Sequence, residues 1–203
     1  MPPVTKILLI ANVAVFVLQQ FADQALLIWF GLWPLASASY GAPGMPAGFL
    51  PWQVVTYSFL HGNELHILVN MLGLYMFGSE VERVLGQKRY ITFYFVSVIV
   101  AAIAQLVMSA VNPGPAYPTV GASGVLFGLL LAYAMFFPRR IVMLIFPPIP
   151  MPAWLFVIVY AIVELYLGVT GTQAGVAHFA HLGGMLGGFI MLRYWRRRRF
   201  DGG

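Results

Sequence analysis

Apolar residues fall in six long stretches, near residues 6–22, 59–78, 90–111, 119–137, 152–169 and 176–195. Spanning a bilayer takes ~20 residues, with a range of ~17–25, so each stretch predicts a transmembrane helix. The first is short and can extend into the segment that follows it. Chain-breaking residues lie between the stretches: Gly41 to Pro51, Asn112 to Pro118, Pro147 to Pro152 and Gly171 to Gly175. The predicted fold class is all-α: one polytopic membrane helical bundle over residues 1–203, with six transmembrane helices.

The basic residues test that count. Eleven Lys and Arg are present. Lys6 precedes stretch one; Arg83, Lys88 and Arg89 lie between two and three; Arg139 and Arg140 lie between four and five; Arg193 and Arg196 to Arg199 close the last. With six spans all of them fall on one side, whereas five or seven would scatter them. Positive charge marks the cytoplasmic side, so both termini are expected there. The net charge of +5 then reflects topology, and the Arg196–Arg199 run predicts an anchor at anionic lipid headgroups and not a nucleic-acid site.

Composition agrees. Hydrophobic residues make up 61% and charged residues 8%, with a mean hydropathy of +0.85, where a soluble chain is about half apolar and a quarter charged. The absence of cysteine excludes disulfides, thiolate zinc ligation and a cysteine nucleophile. Lys6 followed by apolar Ile7 to Leu18 has a signal-peptide look, but the small-residue triplet Ala36–Ser37–Ala38 lies about twenty residues further on, too far for a signal cleavage site. The connection 23–58 is apolar and aromatic (Trp29, Phe30, Trp33, Tyr40, Phe49, Trp52), which predicts a loop lying in the membrane interface.

Polar groups within spans are costly and mark function. The candidates singled out here are His61, His66, Asn70, Ser123, Glu164, His178 and His181. Counted from the expected helix starts at ~1.5 Å per residue, Ser123 lies ~7 Å and His181 ~9 Å below one membrane face. A serine and a histidine at one depth can form a nucleophile–base pair. His178, one turn from His181, could equally be the base on this count. Gly121, Gly124 and Gly128 around Ser123, and Gly183, Gly184, Gly187 and Gly188 after His181, allow the two helices to approach closely. His66 and Asn70 share a helix face at i, i+4, ~10 Å and ~16 Å deep; with the Ser123 backbone N–H they could donate to an oxyanion. No sequence feature sets Glu164 beside His181, so a dyad is expected in place of a triad, and Glu164 is expected to make a packing or gate hydrogen bond. His61 is expected to be structural.

The segments HGNELHILVN (61–70), GASG (121–124) and AHLGG (180–184), in this order on helices 2, 4 and 6, resemble the rhomboid family of intramembrane serine proteases. EVERVLG (80–86) and the Trp52-bearing loop match as well, so the resemblance covers essentially the chain after helix 1. It implies Ser123 as nucleophile, His181 as general base, and His66 and Asn70 in the oxyanion hole, with Gly121 and Phe127 supporting. It also implies that helix 5 and the loop before helix 6 gate lateral access of substrate. No cofactor and no metal are called for. The expected partners are transmembrane protein substrates and membrane lipids. The expected location is a bacterial inner (plasma) membrane, with the site opening to the outer side. Two positions depart from the family pattern: Gln53 follows Trp52 where Arg is common, and Phe127 stands where Tyr is common. A transporter would line a path through both halves of the bundle, whereas the polar residues here crowd one half. A catalytically dead relative would lack the serine or the histidine.

Overall fold

The computed structural model describes residues 1–35, 48–111, 117–143, 148–171 and 177–200. Ala36–Ser37–Ala38, Tyr40, Pro147, and most of the Gly41–Pro51, Asn112–Pro118 and Gly171–Gly175 breaks lie outside the described residues. So does most of the connection implied to gate substrate.

Helices occupy each of the six apolar stretches among the described residues. Helix α1 (Pro3–Phe30) runs on past residue 22, with a kink at Ala22 (φ −144°, ψ 36°). Residues 23–30, expected in an interfacial loop, are therefore helical. A short α2 (Gln53–Thr56) and a 3₁₀ turn (Tyr57–Phe59) lead to α3 (Glu64–Gly73), a π-helical turn (Leu74–Gly78) and α4 (Ser79–Leu85). Then come α5 (Gln87–Val111), α6 (Ser123–Phe136), α7 (Ala153–Thr170) and α8 (His178–Phe200). Between α6 and α7, β1 (Ile141–Met143) and β2 (Pro150–Pro152) pair antiparallel, with Ile141 opposite Pro152. The all-α reading had no place for this small sheet. Among the described residues three helices, α1, α5 and α7, are long and apolar enough to cross a membrane; α6 is apolar but shorter.

Two helix starts differ from expectation, each for a local reason. Helix α3 begins at Glu64, not near 59, because the Asn63 side chain accepts from the His66 backbone N–H at 2.8 Å, satisfying a donor that the first turn leaves without a partner. Helix α6 begins at Ser123, not 119. Thr119 and Leu32 instead exchange backbone hydrogen bonds of 3.0 and 2.9 Å, and Gly121 sits at φ +116°, outside the helical region.

Helix α5 forms the centre, with Tyr90, Phe93, Tyr94, Val98, Ala101 and Ala102 fully shielded. Helix α8 packs most extensively on α5 and α6. Its contact with α6 is backbone on backbone: a Cβ at Gly184 would lie 1.8 Å from the Gly124 carbonyl oxygen, and one at Gly128 2.7 Å from the Gly184 carbonyl. Small residues permit such close approach where no hydrophobic force drives helices together. Outward faces are apolar: Phe21 is 85%, Val111 74% and Val169 72% exposed. Such a surface is unfavourable in water and suited to lipid.

The ends of the bundle are tied differently. At one end buried Glu82, from EVERVLG, accepts from Val4 N–H (3.0 Å), Thr5 N–H (2.7 Å) and Thr5 Oγ1–H (2.6 Å). A carboxylate thus meets the orphan donors and positive pole at the start of α1. Arg140 bonds Glu80 at 2.9 Å at the same end. At the other end Gln53, fully buried, accepts from Trp33 N–H (3.3 Å) and Leu50 N–H (3.1 Å), and Trp52 Nε1–H donates to the Trp29 carbonyl at 2.9 Å. Gln53 therefore anchors the first connection where the family pattern commonly has Arg.

Candidate active site

Ser123, His66 and His181 all lie within the first four residues of their helices. They are shallower than the expected helix starts implied, yet still level with one another. Ser123 is the first residue of α6, where the backbone N–H has no intrahelical acceptor. The strand-like pairing of Thr119 and the Gly121 N–H bond to the Tyr57 carbonyl (2.9 Å) hold the approach to this position. Tyr57 is itself fixed by its hydroxyl, which donates to the Val98 carbonyl at 3.0 Å.

His181 Nε2 lies 2.8 Å from Ser123 Oγ. The imidazole is buried and stacks on Phe127, with ring centroids 4.3 Å apart and planes 11° from parallel. Phe127 therefore supplies the packing ring without a hydroxyl. The glycine seam sets the spacing, since Gly124 and Gly184 sit one residue after the serine and three after the histidine.

Helix α3 contributes the third wall. The Gly62 N–H donates to His66 Nδ1 at 3.3 Å, so Nδ1 is the acceptor and Nε2 carries the proton. That edge faces Gly121, where a Cβ would lie 2.7 Å from His66 Cε1 and 2.8 Å from Nε2. Asn70 Nδ2 donates to the His66 carbonyl at 2.7 Å, leaving a second N–H on that amide. Ser123, His181, His66 and Asn70 all line one open cleft of about 560 Å³. His61 is buried, makes an edge contact with His66 (centroids 5.2 Å) and exchanges backbone hydrogen bonds with the Gln19 side chain at 2.9 and 3.1 Å. It clamps α1 to the start of α3.

One arrangement was not anticipated. Buried Glu164, on α7, places Oε2 2.8 Å from His181 Nδ1 and 2.6 Å from His178 Nδ1. His178 Nδ1 thus meets this carboxylate, and it is His181 that meets Ser123. The available signal was depth: Glu164 lies toward the C-terminal end of α7 and both histidines at the N-terminal end of α8, but no local pattern records which helices are neighbours. These three groups converge closely enough to hold a cation in principle, although two ring N–H groups donating to one carboxylate oxygen satisfy the same atoms.

The fold and site together define an integral membrane helical bundle with a Ser–His pair at an open cleft, the arrangement that nucleophilic catalysis requires. Known proteins narrow this. The family model described as Rhomboid domain matches residues 49–198, and the chain belongs to the rhomboid family. It is 29% identical over 141 residues to Rhomboid protease GluP of Bacillus subtilis (strain 168), covering 68% of this chain and 25% of that protein. It is 29% identical over 146 residues to Rhomboid protein 1, mitochondrial, of Saccharomyces cerevisiae, covering 68% of this chain and 40% of that protein. With Rhomboid protease GlpG of Yersinia pestis (strain Pestoides F) the identity is 26% over 201 residues, covering 97% of this chain and 63% of that protein. The chain thus spans between a quarter and under two thirds of these relatives' lengths.

Proposed function

We propose that this chain is an intramembrane serine peptidase that hydrolyses peptide bonds in or near transmembrane segments of other membrane proteins. The observation that carries the reading is the 2.8 Å contact between His181 Nε2 and Ser123 Oγ at the cleft. Ser123 Oγ attacks the scissile carbonyl while its proton passes to His181 Nε2. The oxyanion accepts hydrogen bonds from the Ser123 backbone N–H, His66 Nε2–H and the Asn70 amide. His181 returns the proton to the leaving nitrogen as the C–N bond breaks. Water then repeats the sequence on the acyl-enzyme, freeing Ser123. Neither a metal nor a cofactor has a step in this sequence.

The single domain is read as six spans in a bacterial inner membrane, surrounded by lipid, with both termini cytoplasmic and the cleft opening outward. A shallow site suits hydrolysis, because water and charge are costly at the bilayer centre. Substrate access is read as lateral. An apolar cavity of about 380 Å³ lies between α3 and α7, bordered by Met76, Phe127, Phe156 and Tyr160, and supports that route. A small residue such as Ala at the cleaved position suits a pocket between closely packed helices.

The test is cleavage of a model transmembrane substrate in liposomes by wild type, Ser123→Ala and His181→Ala, with fluorophosphonate labelling alongside. Cleavage and labelling by wild type alone are expected. Equal cleavage by wild type and both variants, or an unlabelled wild type, overturns the assignment.

A further inference from the structure

We propose that Glu164 is a positioning residue for this chemistry: its carboxylate holds His181 in the tautomer whose Nε2 accepts the serine proton. The proposal rests on the reading of Ser123 and His181 as nucleophile and base. An ionised carboxylate offers only acceptors. The 2.8 Å bond to Glu164 Oε2 therefore requires a proton on His181 Nδ1, which leaves Nε2 bare toward Ser123 Oγ at 2.8 Å. A bond to Nδ1 that selects the tautomer at Nε2 is how a third group orients a catalytic histidine.

A packing role alone accounts for less of what is seen. A carboxylate that only joined α7 to α8 would be satisfied by His178, 2.6 Å away. The second bond runs to the one ring that also touches the serine. His178 and His181 are three residues apart on α8, so both Nδ1 atoms reach the same oxygen. The second donor keeps Glu164 aimed at the site. Asp23, Glu64, Glu80, Glu82 and Asp201 are the other acids of the chain, and of the acids among the described residues only Glu164 pairs with either histidine.

Charge supplies the second argument. When the Ser123 proton arrives on Nε2, His181 becomes an imidazolium inside a buried cluster, where an unpaired charge is strongly disfavoured. Glu164 pairs with it and remains ionised throughout. The proton cycles between Ser123, His181 and the leaving nitrogen and does not pass to the carboxylate.

The experiment measures kcat and KM separately for full-length wild type, Ser123→Ala, Glu164→Gln and Glu164→Asp on one transmembrane substrate. Fluorophosphonate labelling rates and unfolding midpoints are recorded for each. Glu164→Gln keeps the shape but not the charge, and is expected to lower kcat and the labelling rate by up to about 10⁴-fold, the loss that amidating an orienting acid causes. KM should change little and the midpoint should stay near that of wild type. Glu164→Asp, which restores the carboxylate on a shorter stem, should recover part of the rate. Wild-type kcat in Glu164→Gln overturns the proposal. So does equal loss in Gln and Asp that tracks their unfolding midpoints. Nitrogen NMR of the His181 ring in wild type needs no variant: protonated Nδ1 with bare Nε2 supports the proposal, and the reverse overturns it. Activity removed by a chelator and restored by Zn²⁺ would make the cluster a metal site and overturn it as well. A wild type that neither cleaves nor takes label fails one level lower, at the peptidase reading itself.

Discussion

Replacing Gly184 by Ala adds one methyl group at the tightest contact between α6 and α8. The new Cβ would start 1.8 Å from the Gly124 carbonyl oxygen and 2.6 Å from its carbon. Both are backbone atoms, so no side chain can swing aside. Moving from 1.8 Å to the 3.0 Å floor of real Cβ contacts separates the helices locally by about 1.2 Å. Ser123 precedes Gly124 and His181 lies one turn before Gly184, so much of that displacement reaches the pair. A 2.8 Å contact stretched toward ~4 Å is no longer a hydrogen bond. Overpacking of this kind costs ~1–3 kcal/mol, and a misplacement of ~1 Å at the reacting atoms costs about 10²-fold in rate. The assay pairs fluorophosphonate labelling with thermal unfolding in detergent. A fall of about 10²-fold in labelling, with a midpoint lowered by a few degrees, is expected. Labelling at the wild-type rate would refute the idea that this seam sets the serine–histidine distance.

Four further outcomes follow from the same geometry. His66→Ala should reduce kcat by ~10²–10³-fold, as for loss of one oxyanion donor, with KM little altered in cleavage kinetics. Gly121→Ala forces a side chain onto a backbone at φ +116° and to within 2.8 Å of the His66 ring; it should lower both labelling rate and unfolding midpoint. Phe127→Leu removes the ring stacked on His181, worth ~0.5–1.5 kcal/mol beyond its buried area, and should slow cleavage about three- to tenfold. Glu82→Ala strands the donors of Val4 and Thr5 in a buried site and should lower stability by ~2–3 kcal/mol, with the labelling rate of the folded fraction unchanged.

How much was legible in the sequence depended on the range of the interaction. The positions of Lys and Arg predicted that residues near 6, 83–89, 139–140 and 193–199 share one end, and Glu82 with Thr5 and Arg140 with Glu80 do meet there. Ser123, His181, His66 and Asn70 were singled out because strongly polar groups are few within the apolar stretches, and the four line one cleft. The helix starts were misjudged because apolar content says nothing of Asn63 as a cap or of Thr119 pairing with Leu32. Residues 23–30 looked like an interfacial loop because aromatic composition is the same whether or not the backbone is helical. The contact of Glu164 with His178 and His181 was out of reach because it depends on which face α7 turns toward α8, a long-range fact that no local spacing encodes.

The position of Glu164 has a mechanical consequence. Its two bonds are a latch across the seam between α7 and α8, and α7 is also the wall of the apolar cavity through which a substrate helix would slide. If substrate enters there, an outward swing of α7 that carried Glu164 with it would break the 2.8 Å bond to His181. On that reading an open door and an oriented base would exclude one another, so the molecule would be least able to cut while a membrane neighbour is merely passing, and able to cut only after the wall had swung back.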